Sequence, residues 1–198
     1  PLMRQTWLAK KEKKKVALKL IPDKRAKRVN VSIVEGKAID FDPEEGTIQR
    51  AHARCPVCNG AIDDDTTRRL FREGKSGQRM MAVVLHHPNR TGKTYRLPAE
   101  EDLKVYHSTE TVLEKKRATL RAEWGMDPVP DEPLPIGGRD RFDTCRLPLY
   151  GMTRWGDLFN IRQKLALIRF AEKVRLAHAR MLKEDGDPEF SRAVASYL

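Results

Sequence analysis

The chain has 198 residues, of which 39% are hydrophobic and 34% charged, and its formal net charge is +11. That length holds one domain or two small ones, and no apolar run approaches the ~20 residues of a membrane span, so no membrane partner is expected. A Lys and Arg excess of this size points to a polyanion, nucleic acid above all, because basic side chains neutralise phosphates and release counterions.

The first third reads as β. Leu2 to Leu8 is a short strand and Lys10 to Lys15 a charged turn. Val16 to Ile21 is a second strand, ended by Pro22-Asp23. Val29 to Val34 alternates apolar and polar residues, the period of a half-buried strand. Asp42-Pro43-Glu44-Glu45-Gly46 is a turn, and Thr47 to Ala53 a strand that leads into a C-x-x-C motif. Asp63-Asp64-Asp65 offers N-cap oxygens to a short helix, Thr66 to Glu73, closed by Gly74. Its position before that helix favours capping over metal binding as the role of this acidic run. Met80 to Leu85 is a continuous apolar run, expected as a central strand covered on both faces. Pro88 to Gly92 turns it into a hairpin with Lys93 to Leu97.

The second half reads as helix. Pro98 and three acids suit a first helical turn, and the helix is expected to run to Trp124-Gly125 with a break near Ser108-Thr109. The Pro-rich stretch that follows cannot be helix or central strand; with Ile136-Gly137-Gly138 it makes an extended connector over 127–138. Tyr150 to Phe159 is a Gly-punctuated aromatic loop. Asn160 then caps a long amphipathic helix with Leu165, Ile168, Ala171, Val174 and His178 on one side, and Leu167, Phe170, Val174 and Met181 widen that stripe as core. The expected fold class is therefore α+β: an antiparallel β region with a zinc-ribbon knuckle at 1–97, and a mainly helical region at 98–198.

Cys55-Pro56-Val57-Cys58-Asn59-Gly60 carries the clearest chemistry. Two thiolates at this spacing, with Pro between and Gly after, make one knuckle of a zinc ribbon, in which the N–H groups of Val57 and Cys58 turn toward a sulfur. A closed structural zinc site needs four ligands, and Cys55 and Cys58 are the one obvious pair. His52 can be read as a third ligand or as a residue on a strand face. His86 and His87 point to opposite faces of a strand and cannot both chelate. Cys145 stands alone, as a ligand or as a small buried hydrophobe. Three cysteines and no signal peptide argue against a disulfide framework and fit a reducing cytoplasm. No Gly-rich phosphate loop, G-x-S-x-G, H-E-x-x-H or Asp-Pro-Pro-Tyr motif is present.

For phosphate contact the candidates are Lys10, Lys11, Lys13, Lys14, Lys15, Lys24, Arg25, Lys27 and Arg28. Arg154 and Trp155 are candidates for base contact, with anchoring of their loop as the competing role.

Five segments together resemble the large adenine-specific DNA methylases that carry an inserted zinc ribbon. They are Pro1 to Leu8 with its lysine cluster, Cys55 to Cys58, Arg96-Leu97-Pro98, Pro128 to Pro135, and Tyr150 to Phe159 leading to Arg162-Gln163. The resemblance spans nearly the whole chain, and its last segment is the most specific. It implies an internal, non-catalytic region of a methyltransferase that binds DNA or recognises its target. It also implies a second C-x-x-C pair just upstream of Pro1, forming with Cys55 and Cys58 a pseudo-symmetric zinc site. The S-adenosylmethionine segment and the Asp-Pro-Pro-Tyr segment would belong to the parent only, upstream and downstream respectively, so no catalytic or cofactor-binding residue carries over. Partners implied are DNA and the remainder of the parent methyltransferase. The alternative is an autonomous zinc-ribbon adaptor that binds protein or RNA.

Overall fold

The computed structural model describes residues 1–50, 52–89, 91–135, 145–184 and 187–198. Residues 136–138 of the expected connector, and Ala51 and Arg90 of the expected strand and turn, lie outside them. The fold is α+β, with antiparallel sheets in the N-terminal half and helices in the C-terminal half. The chain divides into two compact units, Pro1–Leu103 with Leu149–Gly151, and Lys104–Pro148 with Met152–Leu198.

The first unit is built on the sheet β1 (Trp7–Lys11), β2 (Lys14–Asp23) and β3 (Arg28–Glu35), with β2 in the middle. Val16, Ala17 and Leu18 are buried, on both faces of the sheet, where β2 is paired on each side. The expected strand at Leu2–Leu8 begins only at Trp7. Its first residues are held elsewhere: Thr47 N donates to Met3 O at 2.7 Å, and Met3 N to Thr47 Oγ1 at 2.9 Å. Gly46 permits this approach, since a Cβ there would lie 1.9 Å from Met3 O.

The charged turn shrinks to Glu12-Lys13, with the flanking lysines paired across the ladder as Lys10 with Lys15 and Lys11 with Lys14. Pro22 does not end β2; it pairs with Val29 inside the strand. Leu18 N donates outward to Thr6 O at 2.8 Å. Successive N–H groups alternate sides, so the donor that Pro22 lacks would face the side where β1 no longer reaches, and the ladder to β3 loses nothing.

A second sheet joins β4 (Ile48–Gln49), β5 (His52–Arg54) and β6 (Ala61–Ile62). The single strand expected over Thr47–Ala53 is thus a tight hairpin, with Gln49 opposite His52 and Arg50 at φ +50°. Helix α1 (Asp64–Arg72) follows, capped as the sequence indicates: Asp63 accepts from Thr66 N at 2.7 Å, and Gly74 takes φ +67° past the end. Phe71 meets Tyr150 edge-on, with ring centroids 5.5 Å apart.

The apolar run at Met80–Leu85 is not a central strand. Only Val83–His86 (β7) is in a ladder, with β8 (Lys93–Arg96) as its partner in a two-stranded sheet. Val84 is 51% exposed, so this strand lacks cover on one face.

In the second unit, α2 (Glu100–Trp124) and α3 (Ile161–Glu184) supply a core of Leu113, Leu120 and Ile168, completed by Val129 of the Pro-rich stretch. Helix α2, whose first four residues belong to the first unit, runs unbroken through Ser108-Thr109. Both hydroxyls donate to Val105 O, at 3.0 and 2.8 Å, so neither competes for a non-helical turn. Arg117 grips Asp127 with both nitrogens, Nε at 2.8 Å and Nη2 at 2.7 Å, which turns the chain back along α2. Helix α3 opens on a reciprocal cap, Asn160 Oδ1 accepting from Gln163 N and Gln163 Oε1 from Asn160 N.

The wide apolar stripe of α3 is not all core. Ile168 is 3% exposed, whereas Leu167 and Phe170 are 47% and 55% exposed. A helix α4 (Pro188–Tyr197), capped by Asp187, packs on α3 and ends the described chain. No helix among the described residues is long and apolar enough to cross a membrane.

Two outcomes follow from this packing. Ile168→Ala should cost about 2–5 kcal/mol in chemical denaturation, since it empties a buried site between two helices. The second concerns Asp102, which accepts from Ala99 N at 2.7 Å and from Arg96 Nη2 at 2.8 Å, joining β8 to the start of α2. Arg96, with help from the Ala99 N–H, lowers the Asp102 carboxyl to about 2. A depressed folded-state value stabilises above the ordinary carboxyl range and is lost as pH falls through it. Melting points should therefore drop between pH ~4 and ~2, and Asp102→Asn should flatten that part of the profile.

Candidate functional site

The knuckle lies between β5 and β6, whose pairing of Arg54 with Ala61 brings its two ends together. Cys55 N donates to Gly60 O at 2.9 Å and Asn59 N to Cys55 O at 2.8 Å, closing the turn from both directions. Asn59 takes φ +60°, a conformation its short polar side chain tolerates. A Cβ on Gly60 would sit 3.3 Å from Cys58 Sγ, tight enough to press on the sulfur.

The Cys55 thiol is lowered below its ordinary value, first by the N–H of Cys58, then by that of Val57 and by the Cys58 thiol. Hydrogen bonds to the charged form favour it, so the turn is shaped to hold a thiolate. The residues present fit half of a tetrahedral zinc site. Among the described residues, no group of three or more His, Cys, Asp or Glu could hold a metal ion. His52 sits exposed on β5, its Nδ1 3.3 Å from Arg50 O. His87 engages Thr94 Oγ1 at 2.9 Å. Cys145 is half-buried in the second unit.

The basic residues divide into two groups at opposite ends of β2. Lys10, Lys11, Lys13, Lys14 and Lys15 surround the β1–β2 turn, and Lys24, Arg25, Lys27 and Arg28 the β2–β3 turn. The nine steps of β2 between these turns span about 30 Å at a strand's rise per residue.

Not all of these cations are free. Lys10 pairs with Glu44, which also accepts from Trp7 Nε1 at 2.9 Å, and its Nζ lies 5.9 Å from the Trp7 ring centroid. Lys14 donates to Lys93 O and lies 5.4 Å from the Tyr95 ring centroid. Arg28 is 3.9 Å from Asp23. Lys11, Lys13, Lys15, Lys24, Arg25 and Lys27 form no ion pair among the described residues. The parts played by Glu44, Lys93 and Tyr95 had no signal in the sequence, because each reaches across more than thirty positions.

In the second unit, the Pro-rich stretch zips to the aromatic loop. Leu134 N donates to Thr153 O at 2.8 Å, Trp155 N to Glu132 O at 3.1 Å and Gly156 N to Pro130 O at 2.9 Å. Gly156 is needed here, since a Cβ would meet Pro130 O and Val129 Cγ1 at 2.8 Å. Arg154 donates to Asp131 O at 2.7 Å. The backbone anchors the loop, leaving Trp155 46% exposed. An open cavity of about 520 Å³ is lined by Glu123, Trp124, Glu172, Arg175 and His178. Two of its charged groups are already engaged: Glu172 pairs with Lys116, and Arg175 stacks over Trp124 at 4.6 Å.

Comparison with family models, curated proteins and solved structures returns no match for this chain.

The knuckle geometry makes a chemical forecast. Alkylation of Cys55, followed by peptide mass mapping across pH, should titrate with a midpoint below the ~8.5 of a free thiol. A midpoint at or above that value would show that the N–H groups do not reach the sulfur.

Proposed function

We propose that this chain is a non-catalytic, zinc-ribbon-bearing region of an adenine-specific DNA methyltransferase, and that it grips the duplex. The parent reaction would take a methyl group from S-adenosylmethionine to the exocyclic amine of adenine, in the cytoplasm. Such chemistry requires the base to leave the stack, and a non-catalytic grip on the flanking backbone would hold the duplex while that happens.

One observation carries the reading. Residues Pro1 to Met3 lie against the sheet that bears the knuckle, with Thr47 Oγ1 donating to Pro1 O, and Arg54 N, next to Cys55, donating to Thr47 O at 2.8 Å. A C-x-x-C pair preceding Pro1 would arrive beside Cys55 and Cys58, as the resemblance implies. Cys55 and Cys58 would then hold two of the four positions around a structural zinc ion.

The basic turns support the DNA part. Their separation of about 30 Å is close to the ~34 Å of one helical turn of B-DNA. Lys11, Lys13 and Lys15 at one end, and Lys24, Arg25 and Lys27 at the other, are free to meet phosphates. Arg154 and half-exposed Trp155 are the candidates for contact with bases.

Fluorescence anisotropy with a labelled duplex of about two turns tests the grip. Binding should be weak, with little sequence preference, since phosphate contacts carry no sequence information directly. It should weaken with salt at a log–log slope near −0.9 per phosphate neutralised. Reversing Lys11, Lys13 and Lys15 to Glu, or Lys24, Arg25 and Lys27 to Glu, should each lower affinity about tenfold or more and flatten that slope. Reversing Lys164, Arg169 and Lys173 on α3 should matter less. Equal losses from all three variants would reduce the effect to net charge; no loss from either turn would overturn the grip. Zinc is tested separately: the chain should hold zinc only weakly, and Cys55→Ser or Cys58→Ser should abolish that binding.

A further inference from the structure

We propose that the outward face of α3 is a docking surface for an acidic amphipathic helix of a partner protein. Helix α3 carries two apolar faces. One holds Ile168, 3% exposed, with Ile161 and Leu165 packed beside it against the core. Phe170 is two residues beyond Ile168, about 200° around the helix at 3.6 residues per turn. Leu167, Phe170 and half-buried Val174 recur at the three- and four-residue spacing of a single stripe. Leu167 and Phe170 are 47% and 55% exposed, so nothing among the described residues covers this second face where they stand.

The charge beside the stripe identifies the partner. Arg162, Arg169 and Lys173 fall in one column, at intervals of seven and four residues, along the Phe170 edge of the stripe. None of the three has an ion pair among the described residues, while Arg180 further along pairs with Glu184 at 2.8 Å. Glu172 is held by Lys116; Lys173 and Arg169 help to lower its carboxyl, but neither forms an ion pair with it. An exposed apolar stripe edged by unpaired cations takes a helix whose apolar side chains fill the stripe and whose acids meet the column. A second copy of this chain is disfavoured, because it would bring one basic column against another. The stripe and column together extend about 16 Å, from Arg162 to Lys173, the length of three helical turns.

The test uses a fluorescein-labelled synthetic helix of about 18 residues, with Leu at every third or fourth position and Glu on its flanks, and a counterpart with Lys in place of Glu. The chain should bind the Glu peptide and not the Lys peptide in anisotropy titrations at low salt. Leu167→Glu with Phe170→Glu should weaken the Glu peptide about tenfold or more. Arg169→Glu with Lys173→Glu should weaken the Glu peptide and create binding of the Lys peptide. Circular dichroism should be unchanged in both variants, since all four positions are on the surface. Hydrogen exchange should show peptide-dependent protection within 162–174.

Absence of Glu-peptide binding, affinity indifferent to both variants, or protection confined to other segments would each overturn the proposal. So would sedimentation showing a dimer that Leu167→Glu with Phe170→Glu dissolves. Capture by phosphatidylserine vesicles without binding of the Glu peptide would also overturn it, and would assign the face to a lipid surface.

Discussion

Strand β2 is paired on both sides over its first half, and that constraint organises the first unit. Val16, Ala17 and Leu18 are buried at the point where β2 has partners on both sides. Three consecutive buried residues mean that both faces of the sheet are covered here, and the register is fixed by the pairing of Val16 with Glu35, Ala17 with Val34 and Leu18 with Ile33. With the register set, the two turns must fall at opposite ends of a ten-residue strand. The lysines and arginines therefore form two separate clusters. A duplex meeting both would be touched at two places along its length.

The second unit solves a different problem. Two helices alone would leave Val129 and the prolines without a place to pack. The Arg117–Asp127 clamp reverses the chain at the end of α2, so the Pro-rich stretch runs back to the aromatic loop. That pair is partly buried, and Arg117, with the Val129 N–H assisting, lowers the Asp127 carboxyl. Its contribution is geometric as much as energetic: a planar guanidinium fixes the carboxylate in two directions. The loop is then held by its backbone, and Trp155 is spared from anchoring duty.

What could be read from the sequence was local. Asp63 and Gly74 bound α1 because capping chemistry acts within one turn. The knuckle was legible for the same reason, since Cys55, Asn59 and Gly60 hydrogen-bond one another across five positions. Failures came where a neighbour distant in sequence decides. Met80-Met81 look like core strand, but their apolarity says nothing of how many layers cover them. Thr47 to Ala53 has strand composition, yet Arg50 at φ +50° folds it in two. On α3 the apolar residues cover more of the circumference than one neighbouring helix can bury, so periodicity alone could not tell the inner face from the outer. Glu44, tying Trp7 to Lys10, carried no signature at all.

Pro22 has an effect beyond the sheet it sits in. Past Leu18 the β1 side of β2 is open, and Ile21 there is 44% exposed. An open strand edge with apolar side chains is a template on which a second molecule can add a strand. At Pro22 the missing N–H breaks the row of donors such an addition would use, and the ring occupies the space of an incoming carbonyl. Wherever two copies meet, edge-to-edge pairing of this kind leads to aggregation. Proline at this position keeps the open half of β2 from seeding it, and the ladder to β3 is undisturbed.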